Sequence, residues 1–114
     1  MRKALFAATT LAGLGLSTAT ACPGEGVYRS IDSTLPTSIT FVNAVANDEE
    51  YFSVYWLDYN GERQHYADIF PGRNVRLDTY VTHPWLVTMP EPGGGELCYH
   101  IYLPDRSPAT VTLD

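Results

Sequence analysis

Tyr55 to Val87 reads YWLDYNGERQHYADIFPGRNVRLDTYVTHPWLV. Its left part belongs to the longest strand candidate, Tyr51 to Tyr59. Side chains alternate across a strand, so Phe52, Val54 and Trp56 share one face, and Tyr51, Ser53, Tyr55 and Leu57 share the other. Asn60-Gly61 follows directly. Asn-Gly between two β-type runs predicts a hairpin closed by a type I′ turn, which needs positive φ at both central residues. The return strand is expected over Glu62 to Ala67. Pro71-Gly72 supplies a second turn. Val75, Leu77 and Thr79 then alternate with Arg76, Asp78 and Tyr80. Pro84 to Met89 is a further strand, whose leading proline marks an edge or a strand entry.

The same rhythm continues outward. Val27 to Ile31 alternates apolar with polar, as does Ser38 to Asn43, where Ile39 and Phe41 are expected to face the core. Asn47 to Glu50 reads as a solvated loop, and Pro90 to Gly95 as another. Glu96 to Leu103 and Ala109 to Leu113 complete the set. Turn signals recur about every 8 to 12 residues, and no stretch carries a helical apolar stripe. The expected fold is all-β, an antiparallel β-sandwich of about seven to eight strands.

The N-terminus reads differently. Arg2 and Lys3 precede an uncharged apolar or small-residue run over residues 4–21, ending Ala19-Thr20-Ala21. That is the layout of a secretory signal peptide over residues 1–21, leaving residues 22–114 as the expected β-domain. Export, to the periplasm or outside the cell, is the expected location. Two cysteines, Cys22 and Cys98, would then meet oxidising conditions, where an even count points to a disulfide. It would close a loop of about 75 residues, worth about 2–4 kcal/mol. A second reading competes: cleavage just before Cys22 also fits a lipid anchor, although Ala19 stands where a branched aliphatic residue is expected. A membrane association is expected only if Cys22 is lipidated.

Charge and composition exclude several functions. The whole chain has 7 Lys+Arg against 13 Asp+Glu, net −6. The leader holds two of the positive residues, so the remainder stands at about −8 with five arginines and no lysine. Such a surface repels phosphate backbones, and no nucleic-acid partner is expected. A Schiff-base lysine and a P-loop lysine are ruled out over the same residues. His65, His83 and His100 have no metal-ligand spacing, no nucleophile elbow is present, and Gly93-Gly94-Gly95 lacks a following lysine. No metal, no cofactor and no enzymatic activity are expected.

What stands out is the density of aromatic residues among hydroxyl and imidazole groups between Val54 and Val87: Trp56, Tyr59, Tyr66, Thr79, Tyr80, His83 and Trp85. Sandwich cores contain such residues too, so the residues alone leave packing and recognition both open. As a pattern, however, the stretch resembles the von Hippel–Lindau β-domain family. The shared elements are a Trp-Leu strand, a Gly-Glu turn, Gln-x-Tyr, Pro-Gly, and a hydroxyl-Tyr-x-x-His-x-Trp-Leu run, present here without a gap. Arg29-Ser30, Pro36, Ile39, Phe41 and Asn43 extend the likeness upstream, and Leu97 to Pro104 extends it downstream.

The resemblance implies a binding module for an extended peptide carrying 4-hydroxyproline. Trp56 matches the floor of that pocket and Trp85 its second wall. Tyr66 matches the ring-lining tyrosine, and Tyr80 a peptide-contacting neighbour. Thr79 stands where the family has serine, and His83 matches the histidine that bonds the hydroxyl. Asp78 replaces a histidine, and Thr34 and Val75 replace arginines near the ligand channel, so a different peptide preference is expected. The family's helical part, which recruits elongin C, has no counterpart in the likeness, so neither elongin C nor ubiquitin machinery is an expected partner. Two alternatives stand beside the protein or peptide ligand: a structural scaffold using the same residues for packing, and a carbohydrate-binding sandwich.

Overall fold

The computed structural model describes residues 22–46 and 50–114. The signal peptide expected over residues 1–21 and the loop at residues 47–49 lie outside the described residues. Among these, seven strands form: β1 (Pro36–Asn43), β2 (Phe52–Leu57), β3 (Arg63–Ile69), β4 (Asn74–Tyr80), β5 (Trp85–Pro90), β6 (Glu96–Tyr102) and β7 (Ala109–Leu113). They make a four-stranded sheet in the order β3-β2-β5-β6 and a three-stranded sheet in the order β4-β1-β7. No helix occurs among the described residues, and the fold is the all-β sandwich expected. One pairing is parallel, β1 with β7; every other ladder is antiparallel.

The alternation of each strand explains the layering. Phe52, Val54, Trp85 and Val87 on the four-stranded sheet meet Ile39, Phe41, Leu77 and Leu113 on the three-stranded sheet in one buried cluster. The two sheets are also tied by a polar bracket. Asn43, buried at the end of β1, donates from Nδ2 to the Ile69 carbonyl at 2.8 Å and to the Glu50 carbonyl at 3.1 Å, and its Oδ1 accepts from the Val45 amide at 2.9 Å. Both of its amide hydrogens and its carbonyl oxygen are thereby engaged in the interior, where an unpaired amide costs about 1–3 kcal/mol.

The outer face of the four-stranded sheet is not bare. Leu57 and Leu86 pack there with Cys22, and Tyr55, Cys98 and Ile101 join them. Cys22 and Cys98 are joined in a disulfide with their Cα atoms 5.2 Å apart, a bond that fits an oxidising compartment. A lipid thioether on Cys22 would need the sulfur that this bond uses. No helix among the described residues is long and apolar enough to cross a membrane.

Val27 to Ile31, expected as a strand, is instead a turn followed by an irregular segment with a single bridge between Glu25 and Tyr28. Val27 and Ile31 are exposed, and Ser30 is the buried residue, its Oγ donating to the Leu57 carbonyl at 2.6 Å. Two glycines with positive φ, Gly24 and Gly26, break the run before it can pair. The β2–β3 hairpin forms where Asn-Gly indicates, but its turn is of another kind. Among the central residues only Gly61 has positive φ. The Gly61 amide donates to the Asp58 carbonyl and the Asp58 amide to the Glu62 carbonyl, a three-residue loop with a bulge at glycine. Asp58 explains the change: its Oδ1 accepts from the Asn60 and Glu62 amides at 2.8 and 2.9 Å, holding Asn60 out of the left-handed region.

Candidate functional site

The end of the sandwich where β4 turns into β5 collects the aromatic residues. Trp56, near the end of β2, lies opposite Trp85, the first residue of β5. Thr79, near the end of β4, comes from the other sheet. His83 sits in the connection, whose tight turn is closed by the His83 amide donating to the Tyr80 carbonyl at 3.1 Å. Within that turn Thr82 has φ 81°, the one non-glycine residue in the left-handed region among those described. A β-branched residue is disfavoured there. Its Oγ1 donates to the Ile31 carbonyl at 2.7 Å, which helps hold the turn against the N-terminal segment.

Tyr66 reaches the site through an irregularity. Val54 pairs with Ala67 and Tyr55 with His65, so Tyr66 is the extra residue of a bulge in β3. A bulge redirects a side chain that strict alternation would place elsewhere. The Tyr66 ring meets the Trp85 indole edge-on at 4.9 Å.

All six residues expected at the site, Trp56, Tyr66, Thr79, Tyr80, His83 and Trp85, line one cavity of about 220 Å³. Two further residues join them, Tyr59 and Asp78. A neighbouring concavity of about 430 Å³ shares Trp56, Tyr59 and Tyr66, and another of about 440 Å³ shares Asp78, Thr79 and Tyr80. The small pocket is therefore the middle of a longer cleft. A larger concavity, about 600 Å³, runs along β6 and is lined by none of these residues. It follows one edge strand and has its own aromatic and imidazole groups, Tyr28, Tyr99, His100 and Tyr102; the small pocket differs in joining two indoles and the Thr79 hydroxyl to its imidazole.

The walls differ in burial. Trp85 is 2% exposed and belongs to the core cluster, so it is floor and core at once. Tyr66 and Tyr80 are rim residues, each about half exposed. Trp85 Nε1 donates to Thr79 Oγ1 at 3.0 Å in a buried bond across the two sheets. The Thr79 hydroxyl thus accepts from the indole and keeps its own hydrogen to donate. Trp56 Nε1, by contrast, is buried without a hydrogen-bond partner among the described residues.

His83 is 7% exposed, with the rings of Trp56, Tyr59 and Tyr80 packed at 5.8, 5.6 and 5.4 Å. Burial lowers its pKa from the ordinary 6.5, against the opposing pull of the Ile31 carbonyl and the Asp32 charge. At neutral pH the ring is uncharged and offers one acceptor and one donor nitrogen. The pocket therefore presents flat apolar walls, a hydroxyl donor and a neutral imidazole. No group of three or more potential metal ligands occurs among the described residues.

The VHL beta domain profile matches residues 28–93, more than half of the 114 residues. The chain belongs to the VHL beta domain family. That family recognises peptides and is not a catalytic one. The match spans all six expected site residues, the β2–β3 hairpin and the turn that carries His83. No curated protein matches the chain.

Tyr59 has no assigned role in the motif, and Asp78 enters it only as the replacement of a histidine. Tyr59 belongs to the same aromatic-rich stretch, but its approach to His83 depends on the three-residue loop that replaces the expected turn. Asp78 alternates with Thr79 and reads as a solvent-facing residue. It lines the pocket because β4 is an edge strand whose outer side opens into the cleft.

Proposed function

We propose that residues 22–114 form an exported module that binds an extended peptide through a proline ring, with a preference for 4-hydroxyproline. The observation that carries this reading is the 220 Å³ pocket, where Trp56, Tyr66 and Trp85 wall a space that Thr79 and His83 also line. Flat aromatic walls suit a rigid pyrrolidine ring, which loses little conformational freedom on binding. The hydrogen-bond polarity is consistent. Trp85 donates to Thr79, Thr79 donates to the ligand hydroxyl, and that hydroxyl donates to a neutral His83. A pocket built to bond a hydroxyl discriminates against the analogue that lacks it, because buried groups are then left unpaired. The adjoining concavities give room for the residues on either side of the ring, as an extended segment requires.

Titration calorimetry tests this with the oxidised domain and a short peptide carrying one 4-hydroxyproline, beside its proline twin and a His83→Ala control. Tighter binding of the hydroxylated peptide, lost in the variant, is expected. His83 suits the control better than Trp85, whose burial makes truncation a folding defect, at about 3–5 kcal/mol. That same burial is what favours the second reading, a scaffold that keeps these residues for packing. Absence of binding to several such peptides would put the scaffold ahead.

A further inference from the structure

Tyr59 is the one pocket residue whose polar atom faces His83. Its hydroxyl lies 3.5 Å from His83 Nε2, at the long limit of a hydrogen bond. The phenol ring meets the imidazole edge-on at 5.6 Å and the Trp56 indole edge-on at the same distance. Its hydroxyl has no other hydrogen-bond partner among the described residues. The side chain is 46% exposed, whereas His83 is nearly sealed, so Tyr59 is the movable member of the pair. It stands on the wall common to the central pocket and the 430 Å³ concavity beside it, which gives the ring somewhere to turn.

The geometry points to Tyr59 as the residue that sets how strongly this pocket distinguishes a hydroxylated ring from a plain one, because its phenol pairs with His83 Nε2 in the isolated chain. This rests on the pocket reading given above. In either imidazole tautomer the phenol can serve Nε2, donating to the lone pair or accepting from the N–H. Discrimination against plain proline comes from the cost of leaving the Thr79 O–H and His83 Nε2 without a partner beneath the ring, the Thr79 oxygen still accepting from Trp85. With Tyr59 in place, plain proline leaves His83 paired, so that cost is reduced. A hydroxylated ring gains a bond to His83 only by displacing one already made. The bond is thus kept with one ligand and lost with the other, which narrows the difference between them.

The test compares the oxidised full-length domain with its Tyr59→Phe variant, each titrated with the 4-hydroxyproline peptide and its proline twin. Removing the phenol oxygen is expected to widen the affinity ratio between the peptides by about two- to tenfold, the range of one net hydrogen bond. In the peptide-free proteins, the ¹⁵N shift of His83 Nε2 is expected to change on the substitution. An unchanged or narrowed ratio, with both peptides still binding, overturns this inference and leaves the pocket reading standing. An unmoved Nε2 resonance overturns it as well. No binding of either peptide to either protein overturns the pocket reading, and this inference with it. The exposure of Tyr59 makes the variant a mild one for folding, and far-ultraviolet dichroism checks that directly.

Discussion

His83 carries an ionisable ring where water hardly reaches, and that has a thermodynamic signature. Its folded pKa is lowered from 6.5 by burial. Between the folded and unfolded values the unfolded chain binds more protons, so stability rises with pH in that window. The contribution is complete above 6.5 and is lost as pH falls toward and through the depressed folded value. Urea unfolding should give a lower midpoint at about pH 5.5 than at about pH 7.5, and His83→Gln should flatten that difference. The residue types needed for this pocket are visible in the sequence, because two Trp, two Tyr, a Thr and a His recur in a recognisable order. Their hydrogen-bond state is not. Trp85 Nε1 finds Thr79 across two sheets, whereas Trp56 Nε1 finds no partner among the described residues, and no spacing rule separates the two indoles.

At the scale of elements, alternation gives the faces of β2 and β4 correctly, and the Ala109–Leu113 strand is found where the sequence places it. What it misses has local causes. The Asp58 carboxylate overrides the turn type that Asn60-Gly61 favours, and the bulge at Tyr66 breaks the period of β3. The segment before β1 departs from its alternating pattern because its order comes from ionic contacts and a disulfide, which leave no periodic trace. Arg63, at the start of β3, holds Glu25 through Nε at 2.5 Å and Nη2 at 2.9 Å, and Glu96 through Nη1 at 2.7 Å. Glu96 in turn accepts from the Tyr55 and Thr88 hydroxyls. The Glu25 carboxyl is held below its usual range, chiefly by the Arg63 hydrogen bonds. Arg63→Met leaves both carboxylates without that guanidinium and should cost about 1–3 kcal/mol. Hydrogen exchange should show the Val27 and Tyr28 amides, which donate to the Gly24 carbonyl, losing protection. Peptide binding should persist, since this cluster lies on the outer face of the four-stranded sheet.

For the molecule as a whole, the Cys22–Cys98 bond spans 76 residues of sequence and fastens a segment that has no ladder of its own. Paired Cys22→Ser and Cys98→Ser substitutions should lower stability by about 2–4 kcal/mol, read from denaturation midpoints, while the β-sheet dichroism is retained. The same loss should follow from reductant added to the unaltered protein. The sandwich architecture was legible because its apolar residues repeat with a period of two. The order of strands within each sheet was not, since alternation says which face a strand buries and nothing about its neighbour.

The parallel pairing of β1 with β7 sets the timing of folding. Ile39 meets Ala109, and Asn43 meets Leu113, so the three-stranded sheet is complete only when the last strand joins the first. Sheets made from partners so distant along the chain fold slowly, on about the millisecond-to-second scale, since the loop must close before any contact rewards it. The β2–β3 hairpin can form by itself, but Thr79 lies in the sheet that β7 completes. A chain clipped before Ala109 would leave bare the β1 edge that β7 covers, in a sheet that already carries Thr79 on β4.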